Sequence, residues 1–209
     1  MRVLGISGSP RREGNTDILV NTALEVLAGE GLQTEFLSLA DRPIKPCVGC
    51  RGCFASDTIR CVQEDPAFEG ILEKFAEADG ILLGSPVYFG SATPQIMALL
   101  DRVGYVARKH PHLLRRKVGA AIVVARRAGQ NFTFAQLNYF FLISEMIVPG
   151  STYWNVAFGR EKGEVRNDAE GMDTVKNLAR NMAWLMKQLA IAADHEVRQV
   201  PVETEGSKA

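Results

Sequence analysis

The sequence predicts an α/β chain with five parallel strands and helices on both faces, and three observations carry that prediction. Short apolar runs alternate along the chain with segments of helical period. Several of those runs are apolar at nearly every position, as strands buried on both faces are. Gly- and Pro-bearing turns separate the two kinds of segment. Such alternation builds right-handed βαβ units and a three-layer sandwich.

The elements follow in order. Val3-Leu4-Gly5-Ile6 is too short for a helix and reads as a buried strand. From Thr16 the apolar positions Ile18, Leu19, Ala23, Val26 and Leu27 fall on one helical face. Leu32 to Leu39 alternates as a second strand. Asp41 to Asp65 is rich in Pro, Gly and Cys and has no period, so it reads as a long functional loop, with its cysteine-bearing part at 43–64. Asp65-Pro66 and Thr93-Pro94 are cap-then-proline helix starts. Ile81-Leu82-Leu83 is the third strand between those helices. Val118 to Ala125 is the longest apolar run and the best central strand. A helix is expected from Gln130 to about Glu145, and Met146-Ile147-Val148 reads as the fifth strand, ended by Pro149-Gly150. The last helix starts near Gly171, with Met172, Val175, Leu178, Met182, Leu185 and Leu189 on one stripe. Residues 1–195 are thus expected to form one domain and 196–209 a solvated tail.

Composition narrows the function. The 209 residues carry 24 Lys+Arg against 24 Asp+Glu, so no charge excess favours nucleic acid or an acidic membrane surface. No run approaches the ~20 apolar residues of a bilayer span, and Arg2-Val3-Leu4-Gly5 does not resemble a secretory leader. A cytoplasmic protein is expected. All four cysteines lie between Cys47 and Cys61, which in that compartment points to metal or redox chemistry over disulfides.

In parallel sheets ligands sit at the carboxyl ends of the strands. After the first strand comes Ser7-Gly8-Ser9-Pro10-Arg11-Arg12-Glu13-Gly14-Asn15-Thr16. It is neither a dinucleotide fingerprint nor a P-loop. Its glycines allow tight turning, Ser7, Ser9, Asn15 and Thr16 supply short donors, and the helix start offers free N–H groups to a phosphate. An ordinary strand-to-helix turn capped by Thr16 is the alternative. After the third strand, Pro86-Val87-Tyr88-Phe89-Gly90 sets two aromatics side by side, suited to covering a planar ring or a neighbouring subunit. Tyr153, Trp154 and Phe158 form a second aromatic patch, expected to meet a partner subunit.

These two loops together resemble the NAD(P)H-dependent FMN reductases of the flavodoxin-like group, over Met1 to about Met186. The resemblance implies a flavodoxin-like three-layer sandwich with a five-stranded parallel sheet of order 2-1-3-4-5. It also implies that Ser9, Arg11, Asn15 and Thr16, with Ser7 and Pro10 in the same turn, hold the FMN phosphate. Pro86, Val87, Tyr88, Phe89 and Gly90 would border the isoalloxazine ring. Relatives often carry a glycine-rich turn after the fourth strand; here it is Ala125-Arg126-Arg127-Ala128-Gly129, and Ala125 and Gly129 are the residues expected at the ring's pyrimidine edge. The two arginines would favour a reduced, anionic flavin or the phosphate of a pyridine nucleotide, or form a solvated pair.

Cys47, Cys50, Cys53 and Cys61 have the spacing C-x2-C-x2-C-x7-C, close to that of bacterial Fe–S ligation. Zinc is the alternative, although four-cysteine zinc sites favour two separated pairs; thiol redox chemistry is another. The segment resembles the compact cysteine motif of iron–sulfur flavoproteins, which implies a 4Fe–4S cluster exchanging electrons with FMN. The expected protein is an FMN-dependent oxidoreductase, a homodimer or homotetramer, fed by NAD(P)H and serving a redox partner protein or small-molecule acceptor. A reductase without a cluster, a non-catalytic electron carrier and a zinc-stabilised module are the rival readings.

Overall fold

A computed structural model of the chain describes residues 1–199, with side-chain surroundings through 193. Strands β1 (Arg2–Ser7), β2 (Gln33–Ser38), β3 (Gly80–Pro86), β4 (Val118–Ala125) and β5 (Val156–Phe158) form one sheet in the order β2-β1-β3-β4-β5. Every named pair is parallel. The five α-helices are α1 (Asn15–Gly29), α2 (Pro66–Glu77), α3 (Pro94–Lys109), α4 (Gln130–Ile143) and α5 (Ala169–Gln199).

Strand alternation divides the core in two. Leu4, Ile6, Ile81, Leu83, Ala121 and Val123 point to the side covered by α2, α3 and α4. Val3, Leu82, Ala120, Ile122 and Val124 point to the side covered by α1 and α5. All eight residues of β4 are buried, as its unbroken apolar run predicts. Gly84 lets α1 lie close on β3: a Cβ there would meet Val20 Cγ2 at 2.4 Å and Thr16 Cγ2 at 3.0 Å. That approach brings the start of α1 to the rim of the sheet.

The fifth strand is a correction. Met146-Ile147-Val148 makes only a bridge, Ile147 to Val118, through Gly119 N–H to Ile147 C=O (2.9 Å) and Ile147 N–H to Lys117 C=O (2.9 Å). Pro149 and Gly150 then take the chain off the sheet edge. It returns at Val156–Phe158, pairing with Val123–Ala125. A single apolar run marks where this edge begins, but the part that reaches the ligand end of β4 lies beyond the breaker. The last helix also runs longer than expected: it starts at Ala169 and reaches Gln199, past the boundary at 195, while 200–209 lie outside the described residues.

Candidate functional site at the carboxyl edge of the sheet

A cleft of about 400 Å³ opens at the carboxyl ends of β1, β3, β4 and β5. Its first wall is the turn from Ser9 to Thr16. The N-cap of α1 is Gly14, not Thr16, and no side chain caps the helix. The first helical bond runs from Ile18 N–H to Gly14 C=O, so the amides ahead of it have no helical partner. Thr16, Asn15, Gly14 and Arg11 line the cleft there. Uncapped amides, a hydroxyl and a guanidinium suit an anion.

The turn is held from beneath. The Ser7 hydroxyl donates to Asp17 Oδ1 (2.5 Å), and Asp17 Oδ2 accepts from Glu13 N–H (2.7 Å). Ser7 is fully buried and does not line the cleft. Ser9 Oγ accepts from Arg11 N–H (3.1 Å) and itself lines the cleft. Pro10 is exposed and lies outside the lining. Gly8 N–H donates to Gly84 C=O (2.7 Å), and Thr93 Oγ1 donates to Gly8 C=O (2.6 Å). Thr93 precedes α3 as its sequence predicts, but its hydroxyl ties the β1 and β3 loops together instead of capping the helix.

The second wall is Pro86, Val87 and Tyr88. Tyr88 and Ser91 exchange two backbone bonds (2.9 and 3.1 Å) around Phe89 and Gly90, both at positive φ (51° and 82°). This is a two-residue turn of the primed kind. Left-handed backbone is costly for a bulky residue, yet the Phe89 ring stands fully in solvent. Gln136 of α4 fixes the turn by accepting from Ser91 Oγ and Ala92 N–H, both at 3.0 Å. Gly90 and Gly129 sit behind the lining: a Cβ on Gly129 (φ 89°) would meet Val87 at 2.8 Å and Gly90 at 3.0 Å. Ala125 is buried, and its neighbours Val124 and Arg126 reach the cleft instead.

A third wall, Gly159 to Lys162, follows β5 and so lies beyond the strand that the apolar pattern predicts at Met146-Ile147-Val148. Asn15 holds it: Nδ2 donates to Glu161 C=O (2.9 Å), and Oδ1 accepts from Gly163 N–H (2.8 Å). The side chain expected on a phosphate therefore fastens this strap, and Lys162 pairs with Glu13 at 2.8 Å. The signal that could have found it was Gly159 directly after Val-Ala-Phe, as Gly8 directly follows β1. Arg11, Arg12, Arg126, Arg160 and Lys162 line the cleft; Arg12, Arg160 and Lys162 pair with Asp41, Glu161 and Glu13, while Arg11 and Arg126 make no ion pair among the described residues. The electrostatics favour an anionic ligand.

The cysteines lie apart from this cleft, on the loop between β2 and α2. A 3-10 turn over Gly52–Ala55 packs on α3 and buries Cys53, while Cys50 is exposed and Cys47 and Cys61 are half-buried. Positive φ at Gly49 (65°) and Arg51 (57°) turns the backbone sharply between the first three cysteines. All four thiols are free. Burial pushes the Cys53 thiol up, and the charges of Cys61, Cys47 and Cys50 push it further. The four thiols lie on one loop, and as soft donors they fit an iron–sulfur cluster. Among the described residues, however, no three Cys, His, Asp or Glu side chains already form a closed metal-binding set.

Comparison with known proteins agrees with this geometry. Residues 1–161 match the family described as NADPH-dependent FMN reductase. An iron–sulfur flavoprotein of Methanocaldococcus jannaschii is 44% identical, over 90% of this chain and 98% of its own. An iron–sulfur flavoprotein of Methanosarcina thermophila is 37% identical, over 90% and 96%. Among solved structures, RosB with bound 8-demethyl-8-formylriboflavin-5'-phosphate superposes with TM-score 0.70 at 17% identity, over 100% of this chain and 94% of its own. A flavodoxin from the domain Archaea gives 0.59 at 13%, over 90% and 99%; these two likenesses concern the fold alone. The chain belongs to the NADPH-dependent FMN reductase family, in its iron–sulfur flavoprotein group, and is an FMN-dependent oxidoreductase.

Proposed function

We propose that this chain is an electron-transfer flavoenzyme in which FMN, in the carboxyl-edge cleft, exchanges electrons with a 4Fe–4S cluster on Cys47, Cys50, Cys53 and Cys61. The observation that carries the flavin half is the joining of the uncapped start of α1 to the Pro86–Tyr88 wall across one cleft. Bound there, FMN supplies two-electron chemistry with hydride donors and one-electron chemistry with a cluster.

The chain's own residues bind and orient. Amides at the start of α1, the Thr16 hydroxyl and Arg11 take the phosphate. Pro86, Val87 and Tyr88 lie along the ring. Arg126 places positive charge at the cleft, which favours an anionic reduced ring and attracts a pyridine nucleotide such as NAD(P)H. Asn15 keeps the Gly159–Lys162 strap over the phosphate end. Exposed Tyr153 and Trp154, tilted on each other at 5.2 Å, suit contact with a second subunit in a homodimer or homotetramer. A redox partner protein or a small acceptor completes the circuit. No helix among the described residues is long and apolar enough to cross a membrane.

A second reading is an NAD(P)H-dependent FMN or quinone reductase without a cluster, supported by the match of residues 1–161 to the NADPH-dependent FMN reductase family. Absorption spectra and iron, sulfide and flavin analysis of protein purified without oxygen separate the two. The first reading expects all three components, with Cys50→Ala losing iron and sulfide while keeping flavin. Flavin without iron in the wild type would establish the second. Loss of flavin from Cys50→Ala with iron retained would overturn the site assignment.

A further inference from the structure

Arg102 of α3 is the largest fully buried side chain among the described residues, and the flavin cleft makes no use of it. Its Nη1 donates to Asp65 Oδ2 (2.5 Å) and Lys45 C=O (3.3 Å), and its Nη2 donates to Gln63 C=O (3.1 Å). The guanidinium lies 3.8 Å from the centre of the Phe68 ring. Asp65 in turn accepts from Lys45 N–H (3.2 Å) and Phe68 N–H (3.3 Å). One planar fork therefore grips the chain on both sides of the cysteine segment: Lys45 lies two residues before Cys47, and Gln63 two residues after Cys61.

This placement needs a reason. A buried ion pair contributes little net stability compared with apolar residues of the same volume. Arg102 offers what apolar packing cannot, a set of donors spread in one plane that binds two separate strands of a loop at once. Besides Arg102, the two feet are joined by Lys45, whose amide donates to Asp65 and whose Nζ donates to Glu64 C=O (3.1 Å), and Arg102 is the buried one of these ties.

We propose that Arg102 is a positioning residue for the iron–sulfur cluster: it clamps the two feet of the 47–61 loop so that the four sulfurs face one another, and the Arg102–Asp65 pair sets the charge behind them. This rests on the cluster reading above. Lysine keeps the charge but cannot fork, so it cannot replace the clamp. Removing Arg102 also leaves the Asp65 charge uncompensated, which disfavours adding an electron nearby. Neutralising Asp65 instead leaves the guanidinium uncompensated and favours it.

The test compares wild type, Arg102→Lys, Arg102→Gln and Asp65→Asn as full-length protein prepared without oxygen. Iron and labile sulfide per flavin, the electron paramagnetic resonance of the reduced cluster and its midpoint potential are measured. The expected result is a several-fold loss of iron per flavin in both Arg102 variants with flavin content unchanged. Cluster remaining in Arg102→Gln titrates at a lower potential than wild type, and that in Asp65→Asn at a higher one. Wild-type iron content and spectrum in both Arg102 variants would overturn the proposal. So would potentials that move in the same direction in Arg102→Gln and Asp65→Asn. Flavin falling in step with iron would reduce Arg102 to a general core contact and overturn it too. Wild type without iron would instead overturn the cluster reading, and this inference with it.

Discussion

The turn from Ser7 to Asp17, which lines the cleft, and the loop from Asp41 to Asp65, which carries the cysteines, are held in opposite ways. The first is tied internally and to its neighbours by Asp17, Ser9, Asn15 and Thr93. The second is held at its ends, by Arg102 and Asp65, and its middle exposes Val48, Cys50, Phe54 and Ile59. A phosphate site works through backbone amides whose directions must be set in advance. On the cluster proposed above, thiolates repel one another until a metal joins them, and the loop would be completed by what it binds. Preorganisation belongs to the cleft turn, and the proposal assigns ligand-dependent order to the cysteine loop.

The largest expected effect tests that contrast directly. In cluster-free protein, trypsin should cut after Arg51 and Arg60, both exposed, at least about tenfold faster than after Arg11 and Arg12, which are exposed too. Mass spectrometry of timed digests reads this, and equal rates would break the comparison.

Asp17→Ala should come next. It removes the buried acceptor of the Ser7 hydroxyl and the Glu13 amide, at a cost of about 3 kcal/mol in urea unfolding. A change within 0.5 kcal/mol or so would mean the turn is not held from beneath.

Asn15→Ala should weaken FMN binding by about tenfold, or about 1.4 kcal/mol, by freeing the Gly159–Lys162 strap. Riboflavin, which lacks the phosphate, should be affected much less in the same fluorescence titration. Equal losses would place Asn15 under the ring and not the phosphate.

At the cysteine end the readout is acid. Burial raises the Asp65 carboxyl, but bonds from the Lys45 amide, Arg102 and the Phe68 amide outweigh it and hold its pKa below the usual 3.8. A carboxylate held low in the folded state contributes stability above the unfolded pKa and loses it as pH falls through the folded value. Wild type should therefore lose stability below about pH 3.8 more steeply than Asp65→Asn. Parallel curves would show that the pair contributes nothing in this range.

The smallest effect is at Phe89. Its left-handed backbone is strained and its ring has no cover, so Phe89→Asn should raise stability by about 0.5 kcal/mol. A loss instead would mean that a partner chain covers the ring in solution.

Local pattern alone determined the alternation of strands and helices, the buried β4, the proline starts of α2 and α3, the glycine- and hydroxyl-rich turn after β1 and the grouping of four cysteines, because periodicity, turn chemistry and spacing are written in consecutive residues. Tertiary structure decided the rest. Only pairing with β4 distinguishes the bridge at Ile147 from the strand at Val156–Phe158, and with that choice the third wall of the cleft appears or is lost. Whether Ser7 faces a ligand or Asp17, whether Thr93 caps a helix or joins two loops, and why an arginine lies buried in α3 depend on partners 10, 85 and 37 positions away. A hydroxyl or guanidinium takes whichever partner the fold brings within reach, and spacing along the chain does not record that choice.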